Sequence, residues 1–296
     1  MQVVPHDVFG FNAIVVPDGF LVPGHSDGGV YVIKMSDNDI TKTVSTTKIS
    51  PYKKGYFYHM GFWVDLNGDG RKDFLTARSN AQVGGGELVW FEHPSTGLDG
   101  NEWAEHVITS GPDVGIELVD GIYNGEYVIF AAEFFNELLS MYRISKKDGS
   151  LIDHRVLDDK ILSAYSVSYT DINGDGIKEL LVNNHEKSNK TNGIWAYSAP
   201  VNWMTEDWTK HTIATGFHNA FSITVPNMSP GFPYAFYPKE SDEAKWNAPA
   251  HILVAGDGDH TAHIMSPTDP KNWKWELDTL VEMGGTVGAL TWADLD

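Results

Sequence analysis

The sequence contains no cysteine, so disulfides, thiolate nucleophiles and thiolate metal sites are excluded. Basic residues are scarce: 21 Lys and Arg face 40 Asp and Glu, a formal net charge of -19. That balance excludes a nucleic-acid backbone or an anionic membrane as the main partner, since each requires a basic face. No apolar run reaches the length of a membrane-spanning helix. The opening stretch, MQVVPHDVFGFN, has no basic region followed by an apolar core. No signal peptide is therefore visible and the expected location is the cytoplasm, although a secreted protein already trimmed would read the same. Helical periodicity is nearly absent as well.

What is present is repetition. Asp65 and Asp171 lie 106 residues apart, and Trp90–Trp195, Trp103–Trp208 and His106–His211 each lie 105 apart. A degenerate copy, VGIELVDGIYNGEYVIFAAE, falls halfway, with Asp120 55 residues after Asp65. The true period is about half the offset, and each unit reads as four short strands separated by Gly- and Asp-rich turns. Four strands per repeat of this length is the arithmetic of a β-propeller. The expected fold is all-β, one β-propeller domain over residues 1–296. Its blades span 9–50, 58–111, 113–159, 164–216 and 218–282, with a partial sixth over 286–296. Blade 1 is expected to begin with NAIVV and FLVPG, and blade 5 with FSITV. In blade 5, residues 227–249 form an insertion that reads as a lid, an oligomer contact or decoration.

Two stretches, VDLNGDGRKDFLTAR and TDINGDGIKELLVNN, carry oxygen side chains at alternate positions around a glycine turn. The donors are Asp65, Asn67, Asp69 and Asp73 in the first loop, and Asp171, Asn173, Asp175 and Glu179 in the second. Such a loop can wrap a hard cation, and calcium is the expected ion, in a structural role. The alternative is an Asp/Asn/Gly turn without metal. The bidentate Glu at position 12 of an EF-hand is missing. Asp294-Leu295-Asp296 reads as the start of a third loop. These D-x-N-x-D-G loops resemble the calcium loops of the FG-GAP/VCBS repeat family of propellers, a resemblance that extends over the five units.

Strand direction sorts the histidines. Strands alternate from the inside of a blade outward, so turns entering the inner strand open on the same face as turns joining second and third strands. His106, His154 and His211 sit on outer strands at repeated positions and read as blade packing. His93 and His251 map to the metal-loop face. His6, His59 and His218 precede expected inner strands, where Asp113 and Tyr165 hold the equivalent positions. His25, His185 and His260 fall in second-to-third-strand turns, with Arg78, Glu133 and Asp257 at similar positions. All are expected to ring one mouth of a central channel. Any single histidine in a turn is more often packed or solvated than functional; it is the gathering that points to acid–base chemistry. His59 and His218 are the expected proton-transfer groups, Asp113 an orienting carboxylate, and Tyr165 or Arg78 the oxyanion partner. His6, His25, Glu133, His185, Asp257, His260 and Trp63 would contact substrate.

Within the resembled family, fungal aldos-2-ulose dehydratases place His before inner strands, as YHMGF and FHNAF do here. Propeller polysaccharide lyases and stand-alone fungal hetero-Diels–Alderases belong to the same general kind. The resemblance implies a small-molecule lyase or cyclase acting by dehydration or cyclisation, with no organic cofactor. A sugar dehydratase or polysaccharide lyase, or a non-catalytic carbohydrate- or protein-binding propeller, is the alternative. The non-repeated character of the mouth residues favours one central site over a binder that repeats its contacts blade by blade.

Overall fold

The computed structural model describes residues 1–19, 27–80, 84–100, 103–220, 228–238 and 248–291. The chain is all-β, a β-propeller of four-stranded antiparallel blades. Blade 1 comprises β1 (Gln2–Val3), β2 (Ala13–Pro17), β3 (Val30–Met35) and β4 (Thr43–Lys48), with a single-turn helix α1 (His6–Phe9) between β1 and β2. Blade 2 comprises β5 (Phe57–Val64), β6 (Asp73–Ser79), β7 (Gly86–Glu92) and β8 (Ala104–Ser110). Blade 3 comprises β9 (Gly115–Asp120), β10 (Glu126–Glu133), β11 (Leu138–Ser145) and β12 (Leu151–Asp158). Blade 4 comprises β13 (Ala164–Thr170), β14 (Glu179–Asn184), β15 (Gly193–Ser198) and β16 (Thr209–Thr215). Blade 5 comprises β17 (Pro233–Phe236), β18 (His251–Ala255), β19 (Thr261–Asp269) and β20 (Lys274–Glu282).

Burial follows from strand position. Every residue of β6 and β14 is buried, because each strand is flanked by neighbours on both edges and covered on both faces. Their sequences, DFLTARS and ELLVNN, accordingly do not alternate cleanly between apolar and polar residues. The outer strands β12 and β20 are mostly exposed. They carry Asp153, Arg155, Glu276 and Asp278 on a free edge, where charge discourages pairing with another chain.

The chain divides into two compact units, Met1–Asn136 with Ser140–Arg155, and Glu137–Leu139 with Val156–Asp296. The first unit has two cores. One includes Val15, Val32, Tyr58, Phe74, Phe91 and Trp103; the other includes Leu66, Leu75, Leu88, Trp90, Ile129 and Tyr142. The second unit is centred on Ile172, Leu181, Ile194, Ile252, Val254 and Met265. At about 25 cal/mol per Å² of apolar surface, side chains of this size contribute roughly 1.5–3 kcal/mol each when fully buried.

Blades 2 to 4 begin within two residues of their expected positions, but three strand assignments change. NAIVV is the second strand of blade 1, because Gln2–Val3 pairs inside it. FLVPG lies outside the described residues. In blade 5 the innermost strand of the described sheet is Pro233–Phe236, inside the stretch expected to be an insertion. FSITV lies outside the described residues. No sixth blade forms among the described residues: the stretch beginning at Thr286 contributes only an isolated bridge between Val287 and Asp257. Residues 294–296 lie outside the described residues.

Candidate functional site

In the second unit, Tyr165, His185 and Asp257 come together. Tyr165 stands at an irregularity in β13, where pairing with β14 skips from Ala164 to Ser166. Such a bulge re-aims the side chain it carries. His185 directly follows β14, and its backbone N–H donates to the Ser163 carbonyl at 2.9 Å. The Tyr165 and His185 rings stack at 4.5 Å and 19°, and Phe232 packs on Tyr165 at 4.8 Å. His185 Nδ1 lies 2.9 Å from the Pro230 carbonyl oxygen. A carbonyl can only accept, so the proton sits on Nδ1 and Nε2 presents its lone pair. That nitrogen faces Asp257 Oδ2 at 3.6 Å.

Asp257 and His260 hold positive φ angles of 52° and 63° in the turn between β18 and β19. This is a conformation that costs free energy for any non-glycine residue and recurs at functional sites. Gly256 permits it: a Cβ there would fall 1.7 Å from Asp259 Oδ1. Burial pushes the His185 imidazole below its usual range, opposed by the Pro230 carbonyl and the Asp257 charge. Burial, with Asp259 adding repulsion, pushes the Asp257 carboxyl up. The two shifts bring acid and base toward each other, so the pair can hold one proton between them. Burial also raises the Tyr165 hydroxyl, which stays protonated as a donor. Asp259 in turn accepts from the Thr261 N–H at 2.8 Å and lies 2.7 Å from His263 Nε2. His263 Nδ1 is buried without a hydrogen-bond partner. This second Asp–His pair went unnoticed in the sequence, where the i, i+4 spacing across a turn was the available signal.

The first unit treats its expected site residues differently. Arg78 is fully buried, with its guanidinium on Glu87 at 2.8 Å and on Glu105 at 2.5 and 2.8 Å. It therefore knits β6 to its own blade and is not presented at a mouth. The reason is register. Thirteen residues after Asp65, Asp120 and Asp171 come Arg78, Glu133 and Asn184, one structural position in three blades. Side chains alternate faces along a strand, so His185, one residue further, emerges on the other side. Glu133 is likewise buried, accepting from the Tyr142 hydroxyl at 2.6 Å and from Asn136 at 2.9 Å. Asp113 accepts the Phe134 and Phe135 N–H groups, each at 2.7 Å, which ties the start of the blade to its second-to-third-strand turn. Burial outweighs those amides and pushes its carboxyl up to about 7. His59 lies within β5, its Nδ1 3.3 Å from the Val114 carbonyl, and burial lowers it to about 4. It is a neutral imidazole at pH 7.

His6 and Trp63 depart from expectation. His6 belongs to α1 in the connection between β1 and β2, which opens on the metal-loop face; its neighbour Asp7 pairs with Lys72 of the first acidic loop at 2.7 Å. His218 is exposed in the loop after β16, and the FSITV stretch it was expected to precede lies outside the described residues. His25 lies outside the described residues. Trp63 packs against Phe9, Phe74 and Trp103 in the first core, and its Nε1 is buried without a partner. The outer-strand histidines stack on aromatic rings: His106 on Trp90, His154 on Tyr142 and His211 on Trp273.

The two acidic loops share most of their hydrogen bonds. Gly68 and Gly70 N–H groups donate to Asp65, as Gly174 and Gly176 do to Asp171. Leu66 N–H donates to Asp73, as Ile172 does to Glu179. Gly70 and Gly176 have φ of 85° and 88°, which explains glycine at the sixth position. The loops differ at the seventh. Arg71 pairs with Asp69 in the first, whereas Ile177 is exposed in the second. Burial and neighbouring acids push Asp73 up to about 6 and Glu179 up to about 8. Among the described residues no three His, Asp or Glu side chains converge as a metal cluster. The donor chemistry nonetheless fits a hard cation, most of all in the second loop, where Ile177 stands at the position that Arg71 holds in the first.

No family model and no curated protein sequence matches this chain. Solved structures similar to it include the Dos1 propeller, at 10% identity and TM-score 0.47 over 88% of this chain. The match spans 57% of that chain. A putative 6-phosphogluconolactonase from Bacteroides fragilis is 11% identical, with TM-score 0.47 over 90% of this chain and 70% of its own. A luciferin-regenerating enzyme is 11% identical, with TM-score 0.44 over 92% of this chain and 80% of its own. At these values none of their chemistry carries to this chain.

Proposed function

We propose that the protein is a small-molecule enzyme of the lyase or cyclase type that moves a proton through His185 and Asp257. The supporting observation is the His185 imidazole, fixed by the Pro230 carbonyl through Nδ1 and facing a pKa-raised carboxyl through Nε2. At 3.6 Å the two groups lie close enough to act together on one substrate. Asp257 in its protonated form delivers a proton to a departing hydroxyl, and neutral His185 takes one from carbon or a phenol. The Tyr165 hydroxyl donates to oxygen that gains negative charge. Dehydration has this proton balance, and the polarised alkene it creates can then cyclise, including by hetero-Diels–Alder closure, with no further proton transfer. On the same reading the chain is an FG-GAP/VCBS-type propeller, and its acidic loops hold calcium through Asp65, Asn67, Asp69 and Asp73 and through Asp171, Asn173, Asp175 and Glu179. Bound there, the ion neutralises buried carboxylates and stiffens the turns; it takes no part in the chemistry.

The test is loss of water, followed by mass spectrometry, from a panel of β-hydroxy carbonyl compounds and ortho-hydroxybenzyl alcohols. The wild type should turn over at least one of them, and His185→Asn should lose about 10²–10⁴ in rate, the usual cost of removing a general acid or base. No turnover of any member, or turnover untouched by His185→Asn, contradicts the reading.

A further inference from the structure

A cleft of about 500 Å³ opens on the first unit, lined by none of the residues assigned above to catalysis. One wall is β4, with Val44, Ser45 and Thr47; the opposite wall is the turn after β7, from Thr96 to Asp99. The floor is aromatic. Phe9 and Phe11 stack at 5.4 Å and 12°, and His93 meets Phe9 edge-on at 5.2 Å. These two phenylalanines are half-buried, so the platform is only partly covered. Lys34 reaches over it, its ammonium 4.2 Å from the Phe11 ring centre. In a chain of net charge -19, several surface lysines have a carboxylate at hand: Lys53 has Glu87, Lys72 has Asp7 and Lys210 has Asp158. Among the described residues no carboxylate pairs with Lys34. Asp99 lines the opposite rim and is exposed.

We propose that this cleft is a second ligand site, which takes a small amphipathic anion: a flat apolar ring carrying one carboxylate or sulfonate. The ring lies on the Phe9–Phe11 platform, an arrangement worth about 0.5–1.5 kcal/mol beyond its buried area. The anion meets the Lys34 ammonium at a partly apolar wall, where the attraction exceeds that in bulk water. The volume lies within the roughly 300–1,000 Å³ typical of small-molecule sites. Asp99 at the rim selects against ligands with a second negative charge on that side.

The experiment uses 8-anilinonaphthalene-1-sulfonate as the anionic probe and uncharged N-phenyl-1-naphthylamine as its control. The native protein should bind both with saturable fluorescence at one site. Lys34→Met should weaken the sulfonate about tenfold and leave the neutral probe unchanged, while Ser45→Trp, which fills the mouth, should abolish binding of both. Circular dichroism of the two variants should match the native protein. Absence of saturable binding by the native protein overturns the proposal. So does sulfonate binding undiminished by Lys34→Met, or binding of either probe that survives Ser45→Trp.

Discussion

Arg78 near the end of β6 in the first unit and His185 just past the end of the equivalent strand β14 in the second stand one register step apart, and their fates differ completely. Arg78 is fully buried, and its donors go to Glu87, Glu105 and Tyr58 of its own blade. His185 spends Nδ1 on a carbonyl and keeps Nε2 toward an aspartate at a distance too long for a closed bond. The same contrast separates Asp113, saturated by two backbone amides, from Asp257, whose turn is held in positive φ. A charged group that the fold needs is met by partners at hydrogen-bond distance. A histidine and an aspartate held face to face, with burial lowering the imidazole and raising the carboxyl, are the better candidate for chemistry.

Exchanging the two roles by mutation tests that contrast, and the largest effect is expected on rate. His185→Asn should lose about 10²–10⁴ in turnover. Its melting temperature should fall only by what a lost hydrogen bond and ring contact cost, about 1–2 kcal/mol. Arg78→Met should do the reverse. It leaves Glu87 and Glu105 beside an apolar chain, at a cost of about 3 kcal/mol, the low end for a broken buried pair because both acids keep some water. Turnover per folded molecule should be unchanged. Thermal melts of Arg78→Met paired with rates at a temperature where it is folded decide the matter.

The acidic loops sharpen the same contrast on a smaller scale. Calcium at 100 times its Kd should stabilise the protein by about 2.7 kcal/mol, read as a higher melting temperature reversed by chelator. Asp171→Asn should remove more of that gain than Asp65→Asn, because Arg71 already supplies charge to the first loop and Ile177 supplies none to the second. Without calcium, pH matters. Glu179 is raised in the folded state from 4.5 to about 8, so between these values the fold holds a proton that the unfolded chain has released. Metal-free protein should therefore lose stability as pH rises from about 4.5 to 8, and calcium should flatten the slope. Smallest of all, His106→Ala should cost about 0.5–1.5 kcal/mol through its stack on Trp90, with activity of the folded protein unaltered.

The repeat made much of this legible. Asp65 and Asp171, Trp103 and Trp208 gave the period, and the period gave blades 2 to 4 nearly to the residue. Blade 1 misled because its innermost strand is Gln2–Val3, two residues with no pattern to read. Blade 5 misled because β17 opens on Pro233, a residue that argues against a strand unless it starts an edge. Tyr165, His185 and Asp257 were singled out by turn position, and that grouping matches their contacts. Arg78 and Glu133 were assigned to the same mouth because alternation along a strand reverses with a shift of one residue, and turn position alone does not fix that register. Asp259 and His263 meet across a turn whose geometry depends on Gly256 and on positive φ at Asp257, which no residue pattern announces.

The electrostatic coupling of His185 to Asp257 is the claim on which the functional account rests, and nitrogen-15 NMR of the imidazole measures it directly. The wild type should show a Nδ1-protonated ring that titrates below the ordinary histidine value of 6.5, because burial outweighs the neighbouring carboxylate. Asp257→Asn removes the charge that favours protonation, so in that variant the ring should titrate lower still. A His185 titration that Asp257→Asn leaves where it was, or a ring carrying its proton on Nε2, would contradict the account.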